Sequence, residues 1–266
     1  MWFNKNVFNG VQMQVSGYYP KSDYNSAIVI PCYNEGKRIN PNRYIEGLKD
    51  FPSQVLLVDD GSRDNTFEIL KKLEKSVPDR FIAIKNPQNT GKAESVRRGM
   101  KTAIEKGFRH VGFMDADLAT PFGEIPSFLE VFKEKPDINT VIGVRLKLAG
   151  HKIYRSNLKY LMQKIIAAMG GVLFKLKVSD TQCGAKMFKS EVLKPVLEKE
   201  FSVKWLFDQE LLARLSRLPQ NEGKNWLFEL PLTEWTDIGG SHVKKSDYLK
   251  CLKDYFKLLM KYGIRK

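Results

Sequence analysis

The sequence predicts an α/β fold with a mainly parallel sheet flanked by helices, and three observations predict it. Short apolar runs alternate with stretches of helical length, the pattern of βαβ units. In the first half, each apolar run stops at a cluster of polar residues, and sheets of this kind bind ligands beyond the carboxyl ends of their strands. The chain of 266 residues is also 42% hydrophobic and 11% aromatic, enough to build a packed core.

The elements follow in order. Residues 1–25 are rich in Tyr, Asn and Phe without periodicity and have no assigned role. Ala27–Ile30 reads as a buried strand stopped by Pro31, and Asn42–Lys49 as a helix. Gln54–Val58 is a strand ending in Asp59-Asp60-Gly61-Ser62, Thr66–Lys75 a helix, and Phe81–Lys85 a third strand. Glu94–Lys106 is helical, and His110–Met114 is a strand that runs into Asp115. The second half is less regular. It holds a strand at Thr140–Val144, a polar segment at Asp180–Gly184, a helix containing Phe207–Leu215, a strand at Asn225–Pro231 and a basic terminal helix. The expected organisation is one domain over 26–245, preceded by segment 1–25 and followed by helix 246–266.

Charge is concentrated. The chain carries 44 Lys and Arg against 30 Asp and Glu, a net charge of +14. Residues 145–179 hold eight cations and no acid, and residues 243–266 hold eight more against Asp247 and Asp254, which leaves the remainder neutral. A local basic face implies a polyanionic partner. The apolar residues Leu158, Leu161, Met162, Ile165, Ile166, Met169, Val172, Leu173 and Leu176 recur at helical spacing within the first basic segment, although Gly170-Gly171 interrupts them. In the second, Tyr248, Leu249, Leu252, Tyr255, Phe256 and Leu259 share a face. Apolar stripes among lysines fit an interfacial helix on anionic lipid. The bland alternative is ordinary amphipathic packing on the sheet. The longest uncharged apolar run, residues 165–174, is half of the ~20 residues a membrane span needs. The N-terminus lacks the apolar run of a signal peptide. The three cysteines, Cys32, Cys183 and Cys251, show no disulfide or zinc spacing and fit a reducing compartment.

The polar loops carry the chemistry. Asp115-Ala116-Asp117 places two carboxylates where they can converge on Mg2+ or Mn2+, although taken alone the spacing fits a surface turn better. Asp59-Asp60-Gly61-Ser62 is equally a helix-capping turn or a pair of acceptors for a base or ribose. Asn89-Thr90-Gly91-Lys92 lacks the spacing of a P-loop and reads as a glycine turn that brings a lysine to the same crevice. A nucleic-acid-binding protein would explain the basic segments, but acidic loops at the crevice would repel a phosphate backbone, so no nucleic-acid partner is expected.

Together, in order, these segments are specific. Ile-Pro-Cys-Tyr-Asn-Glu (30–35), Val-Asp-Asp-Gly-Ser-Arg-Asp-Asn-Thr (58–66), Asn-Thr-Gly-Lys (89–92) and Asp-Ala-Asp (115–117) resemble the inverting family-two glycosyltransferases of Rossmann-like GT-A fold. Gly-Val-Arg (143–145), Asp-Thr-Gln-Cys-Gly-Ala-Lys-Met-Phe (180–188), Phe-Asp-Gln-Glu-Leu-Leu (207–212) and Glu-Trp-Thr-Asp-Ile-Gly-Gly-Ser (234–241) resemble the dolichyl-phosphate β-glucosyltransferase branch.

The resemblance implies metal-dependent inverting transfer of a hexose, glucose or a related sugar, from a UDP-sugar to a polyprenyl phosphate. It implies that Pro31, Tyr33 and Glu35 line the base and ribose, and that Asp59 accepts a hydrogen bond from uracil. Gly91 and Lys92 would flank the nucleotide, Asp115 would hold the ribose or sugar, and Asp117 would ligate Mg2+ or Mn2+. Gln182 and Asp208 would face the donor sugar, and Arg145 and Arg155 would grip the acceptor phosphate. A phosphate acceptor is already ionised and needs little or no base. With a hydroxyl acceptor on a soluble or cell-envelope glycan, the alternative, Asp208 would be the general base. Two positions depart from the pattern. Ala119 stands where mannose synthases of this group often carry Gln, which argues against mannose, and the N-terminal membrane helix of the eukaryotic branch is not found. The expected location is cytoplasmic, peripheral on the inner face of a membrane with an anionic surface.

Overall fold

The computed structural model describes residues 6–8, 11–13, 25–48, 53–154, 164–171, 178–238 and 247–263. Strands β1 (Asn6–Phe8) and β2 (Val11–Met13) form an antiparallel pair. The main sheet is built from β3 (Ser26–Cys32), β4 (Ser53–Asp59), β5 (Phe81–Lys85), β6 (His110–Phe113), β7 (Thr140–Val144), β9 (Lys186–Lys189) and β10 (Leu227–Pro231), in the order β10-β7-β9-β6-β3-β4-β5. All its pairings are parallel except those of β9, which runs antiparallel to both β6 and β7. A short parallel pair joins β8 (Lys152–Tyr154) to β11 (Glu234–Thr236).

Side chains alternate across the sheet with the two-residue period of a strand. Ile28, Ile30, Val55 and Leu57 face one core. It is closed by α1 (Pro41–Gly47), α2 (Thr66–Ser76) and α4 (Ile125–Glu134) through Tyr44, Leu70, Leu73 and Phe128. Ala27, Val29, Leu56 and Val58 face the other. That side is covered by α3 (Lys92–Glu105), α6 (Ser190–Val196), α7 (Phe207–Leu215) and α8 (Asp247–Leu258) through Val96, Met100, Leu193, Leu211 and Leu258. Residues 164–171 form a further helix, α5.

Pro31 does not end β3 as its sequence position predicts. The strand continues to Cys32, pairing Pro31 with Val58, because pairing with β6 stops at Val29 and Phe113. The proline's missing N–H therefore breaks no ladder bond. Strand β9 has no apolar-run signature because its first residue, Lys186, is a buried cation.

The apolar stripe predicted on α8 divides into two. Tyr255 and Leu259 pack against the core beside fully buried Leu258, whereas Leu249, Leu252 and Phe256 are exposed, joined by Met260 in the π-helical turn Leu259–Gly263. Most of the stripe predicted over 158–176, together with Arg155, lies outside the described residues; within α5, Ala167 is buried and Ile165 exposed. No helix among the described residues is long and apolar enough to cross a membrane.

Candidate active site

The strand order reverses between β3 and β6: β4 and β5 lie on one side of β3, and β6 begins the other. A crevice opens at the carboxyl ends beside such a switch point. The loops after β3, β4 and β6 and the start of α3 meet here, and the return segment 180–185 joins them.

Asp60 ties two of these loops together. Its buried carboxylate accepts hydrogen bonds from Asn86 Nδ2 (3.0 Å), Thr90 N (2.9 Å), Thr90 Oγ1 (2.9 Å) and Gly91 N (2.8 Å). It is thereby consumed in structure. Neighbouring Asp59 is also buried, but among the described residues it accepts only long contacts from Ser62 N at 3.3 and 3.4 Å, which leaves it acceptor capacity. Gly91 has φ +94°, a conformation suited to glycine, and its carbonyl receives the N–H groups of Glu94 and Ser95 as α3 begins. Lys92 thus projects from the first turn of α3. Its Nζ lies 2.5 Å from Asp115 Oδ1 and 6.0 Å from the Phe207 ring centroid.

Asp115-Ala116-Asp117 is held from several sides. Tyr44 Oη donates to the Ala116 carbonyl at 2.6 Å, the Leu118 N–H to the Asp115 carbonyl at 3.1 Å, and the Thr236 N–H to the Ala119 carbonyl at 3.0 Å. Leu118 has φ +52°, a strained state for a branched side chain that these bonds and its burial maintain. Asp117 Oδ1 accepts the Ala119 N–H at 3.0 Å, and Oδ2 lies 3.3 Å from Arg38, whose other amino group meets Glu35 at 2.9 Å. Glu35 is in turn anchored by its own N–H to Thr66 Oγ1 (2.8 Å). Pro31 and Tyr33 flank the same strand end, Tyr33 with its ring exposed.

The two acids of this loop differ electrostatically. Burial drives the Asp115 carboxyl upward, but Lys92, with Lys186 and Arg145 behind it, outweighs burial and holds it below the usual carboxylate range. Burial, then the charge of Asp115, holds Asp117 above that range despite its Ala119 hydrogen bond and Arg38. Burial opposes the Lys92 ammonium, yet Asp115 and then Asp208 keep it charged and raise its pKa. Lys92, Asp115 and Asp208 therefore form one electrostatic group.

Asp208 lies in the first turn of α7, nearly buried, with Oδ2 2.8 Å from Lys186 Nζ. Among the described residues, its other oxygen, Oδ1, is buried without a hydrogen-bond partner, as is Nε2 of Gln182. Arg145, at the end of β7, is not a free phosphate ligand. Its Nε and Nη2 grip Asp180 at 2.7 and 2.9 Å, and its guanidinium lies 5.1 Å from the Trp235 ring centroid. Among the described residues, Nη1 and the outer hydrogen of Nη2 have no partner and remain for a ligand.

The structure thus gathers Lys92, Asp115, Asp117 and Asp208, with Gln182 on the adjoining segment. Sequence reasoning missed three contributors. Arg38, three residues after Glu35, links that residue to Asp117. Gly184 admits Asp115, because a Cβ there would lie 1.9 Å from Asp115 Oδ2. Lys186 is the counter-ion of Asp208; the available signal was a lysine among Ala185, Met187 and Phe188, where a buried cation needs an acidic partner.

The comparisons with known proteins agree with this architecture. The model for glycosyl transferase family 2 matches residues 27–197. A dolichyl-phosphate β-glucosyltransferase of Trichomonas vaginalis is 30% identical over 255 residues, covering 89% of this chain and 71% of that protein. The dolichyl-phosphate β-glucosyltransferase of Homo sapiens is 28% identical over 256 residues, covering 89% and 75%. Among solved structures, glucosyl-3-phosphoglycerate synthase of Mycobacterium tuberculosis, in complex with Mn2+, UDP and glucosyl-3-phosphoglycerate, has a TM-score of 0.63 at 19% identity, covering 92% of this chain and 82% of that one. That likeness is one of fold. The chain belongs to glycosyl transferase family 2, as a nucleotide-sugar-dependent glycosyltransferase of GT-A fold close to the dolichyl-phosphate β-glucosyltransferases.

Proposed function

We propose that the protein transfers a hexose, glucose or a related sugar, from a UDP-sugar to a polyprenyl phosphate with inversion at the anomeric carbon. The observation that carries this reading is a crevice with an acidic loop and paired cations on a chain whose similar proteins are named for dolichyl phosphate. The UDP seen in the mycobacterial synthase supports the choice of nucleotide. Pro31, Tyr33 and Glu35 line the base and ribose, Asp59 accepts the uracil N–H, and Gly91 and Lys92 flank the nucleotide. Asp115 holds the ribose or sugar, and Gln182 and Asp208 face the donor sugar.

Asp117 is the residue to hold a divalent cation, Mg2+ or Mn2+. Its carboxyl is held up by burial and by Asp115, a strain that a cation relieves. The described residues contain no group of three or more His, Cys, Asp or Glu poised around one metal. One or two carboxylates, completed by water and substrate phosphate, is the donor set in which Mg2+ is commonly held. A bound cation supplies charge neutralisation to the departing diphosphate. In the transfer, an acceptor phosphate oxygen attacks the anomeric carbon, the bond from that carbon to the UDP oxygen breaks, and its electron pair leaves with UDP. The attacking oxygen is already ionised, so no residue has to remove a proton. Arg145, through its remaining donors, and Arg155 offset the repulsion between acceptor phosphate and diphosphate.

A peripheral position on the inner face of an anionic membrane fits the outward stripe of Leu249, Leu252, Phe256 and Met260, beside which Lys253 is exposed. The test is a donor and acceptor screen with purified protein. UDP-glucose and polyprenyl phosphate should give glycolipid, GDP-sugars should not, and binding to vesicles should require anionic lipid. Transfer to a soluble hydroxyl acceptor alone would overturn the lipid reading and make Asp208 the general base.

A further inference from the structure

Lys186 stands out as a titratable group that lies within the 180–188 motif yet has no role in the proposed reaction. Its side chain is wholly buried, and its Nζ donates to Asp208 Oδ2 at 2.8 Å and to the Cys183 carbonyl at 2.5 Å. It also lies 5.2 Å from the Phe113 ring centroid. Two of its three donors are thus taken, one by α7 and one by the turn before β9. A buried ammonium without a partner would lose its charge, so the lysine commits Asp208 to being the counter-ion.

The pairing is lopsided. Lys186 engages one oxygen of Asp208, while the other is buried with no hydrogen-bond partner among the described residues, beside the Lys92–Asp115 pair. A buried pair serving stability alone is expected to satisfy both oxygens, because an orphaned acceptor costs free energy. The open oxygen therefore awaits a donor from a ligand. We propose that Lys186 is a positioning residue: from inside the sheet it fixes Asp208 by Oδ2, so that Oδ1 meets a hydroxyl of the bound sugar. It also cancels the Asp208 charge, which would otherwise repel diphosphate and acceptor phosphate. This rests on the sugar-nucleotide reading of the crevice but not on the identity of the acceptor.

The test compares Lys186→Met, Asp208→Asn and the double variant with wild type by kcat, UDP affinity and thermal midpoint. Lys186→Met leaves a buried carboxylate unpaired and can fail to fold; the double variant removes both charges and restores a neutral pair. The expected result is a thermal midpoint near wild type in the double variant, UDP affinity within about threefold, and kcat still at least ~100-fold down. Asp208→Asn alone should lose about as much as the double variant, since residues acting as a unit are non-additive. A double variant with both native stability and near-native kcat would overturn the proposal, as would Lys186→Met at wild-type kcat. If the wild type ignores polyprenyl phosphate, that defeats the acceptor reading only. The same comparison then runs on UDP release during transfer of the sugar to water or to a hydroxyl.

Discussion

Replacing Gly184 with alanine tests how tightly the crevice is built. A Cβ at this position would lie 1.9 Å from Asp115 Oδ2 and 2.5 Å from its Cγ, where real Cβ contacts stay beyond 3.0 Å. Gly184 does not have a left-handed backbone, so alanine is objectionable only through that contact. Asp115 has to retreat by about 1 Å or more, which takes Oδ1 away from Lys92 and the loop away from its set position. A displacement of about 1 Å in a positioning group costs roughly 100-fold in rate, equivalent to about 2.7 kcal/mol. Overpacking lowers stability by about 1–3 kcal/mol in addition. UDP release measured at several donor concentrations, with parallel thermal melts, separates the two effects. The expected outcome is a roughly 100-fold fall in kcat/KM in protein that is still folded at the assay temperature. Gly184→Ala at wild-type kcat/KM would refute the reasoning, because Asp115 would then tolerate displacement or hold no substrate.

Three further outcomes are expected. Asp117→Asn keeps the shape and removes the charge, so turnover should drop at least ~100-fold, and EDTA should mimic it; full activity in EDTA would end the metal assignment. Arg145→Ala should lower stability by about 3–5 kcal/mol, because it strands buried Asp180. Arg145→Ala with Asp180→Asn should regain the thermal midpoint, yet lose transfer to polyprenyl phosphate without losing UDP affinity. Glu210 supplies the pH dependence. Burial raises its pKa, but Arg214, Lys261 and Ser202 together hold it below the usual 4.5. Because the folded value lies below the unfolded one, its stabilisation is present above about pH 4.5 and lost as pH falls through the folded value. Melts from pH 7 to pH 3.5 should fall less steeply for Glu210→Gln than for wild type; parallel curves would remove Glu210 from the account.

Much of the architecture was legible in the sequence, since hydrophobic periodicity is local. The runs around Val29, Leu56, Ile82 and Val111 became β3 to β6 within a few residues of their predicted limits, and the acidic loops fell at carboxyl ends as their spacing implied. Fully buried strands are nearly continuous apolar runs, and nothing distant in the chain alters that. Strand β9 and the division of the α8 stripe were not legible, because each depends on partners far away. Lys186 interrupts an apolar pattern, and its charge is balanced by Asp208, in contact across the fold, which makes its burial tolerable. Leu249 and Tyr255 look alike in sequence, yet Tyr255 packs against the core under α3, α6 and α7, while Leu249 is exposed.

The division is sharpest among the charges. By itself the sequence determined which residues could bear chemistry: Asp59, Asp115, Asp117, Arg145 and Asp208 stand in motifs whose order alone specifies the reaction class. Tertiary structure alone decided how far the charges around the crevice are already engaged. Asp60 closes a loop and Arg145 is clasped along one edge by Asp180, whereas Asp208 keeps one oxygen without a partner among the described residues because Lys186 takes the other. A charge exerts its effect over a few ångströms of space, and no distance along the chain reports which charges those ångströms contain.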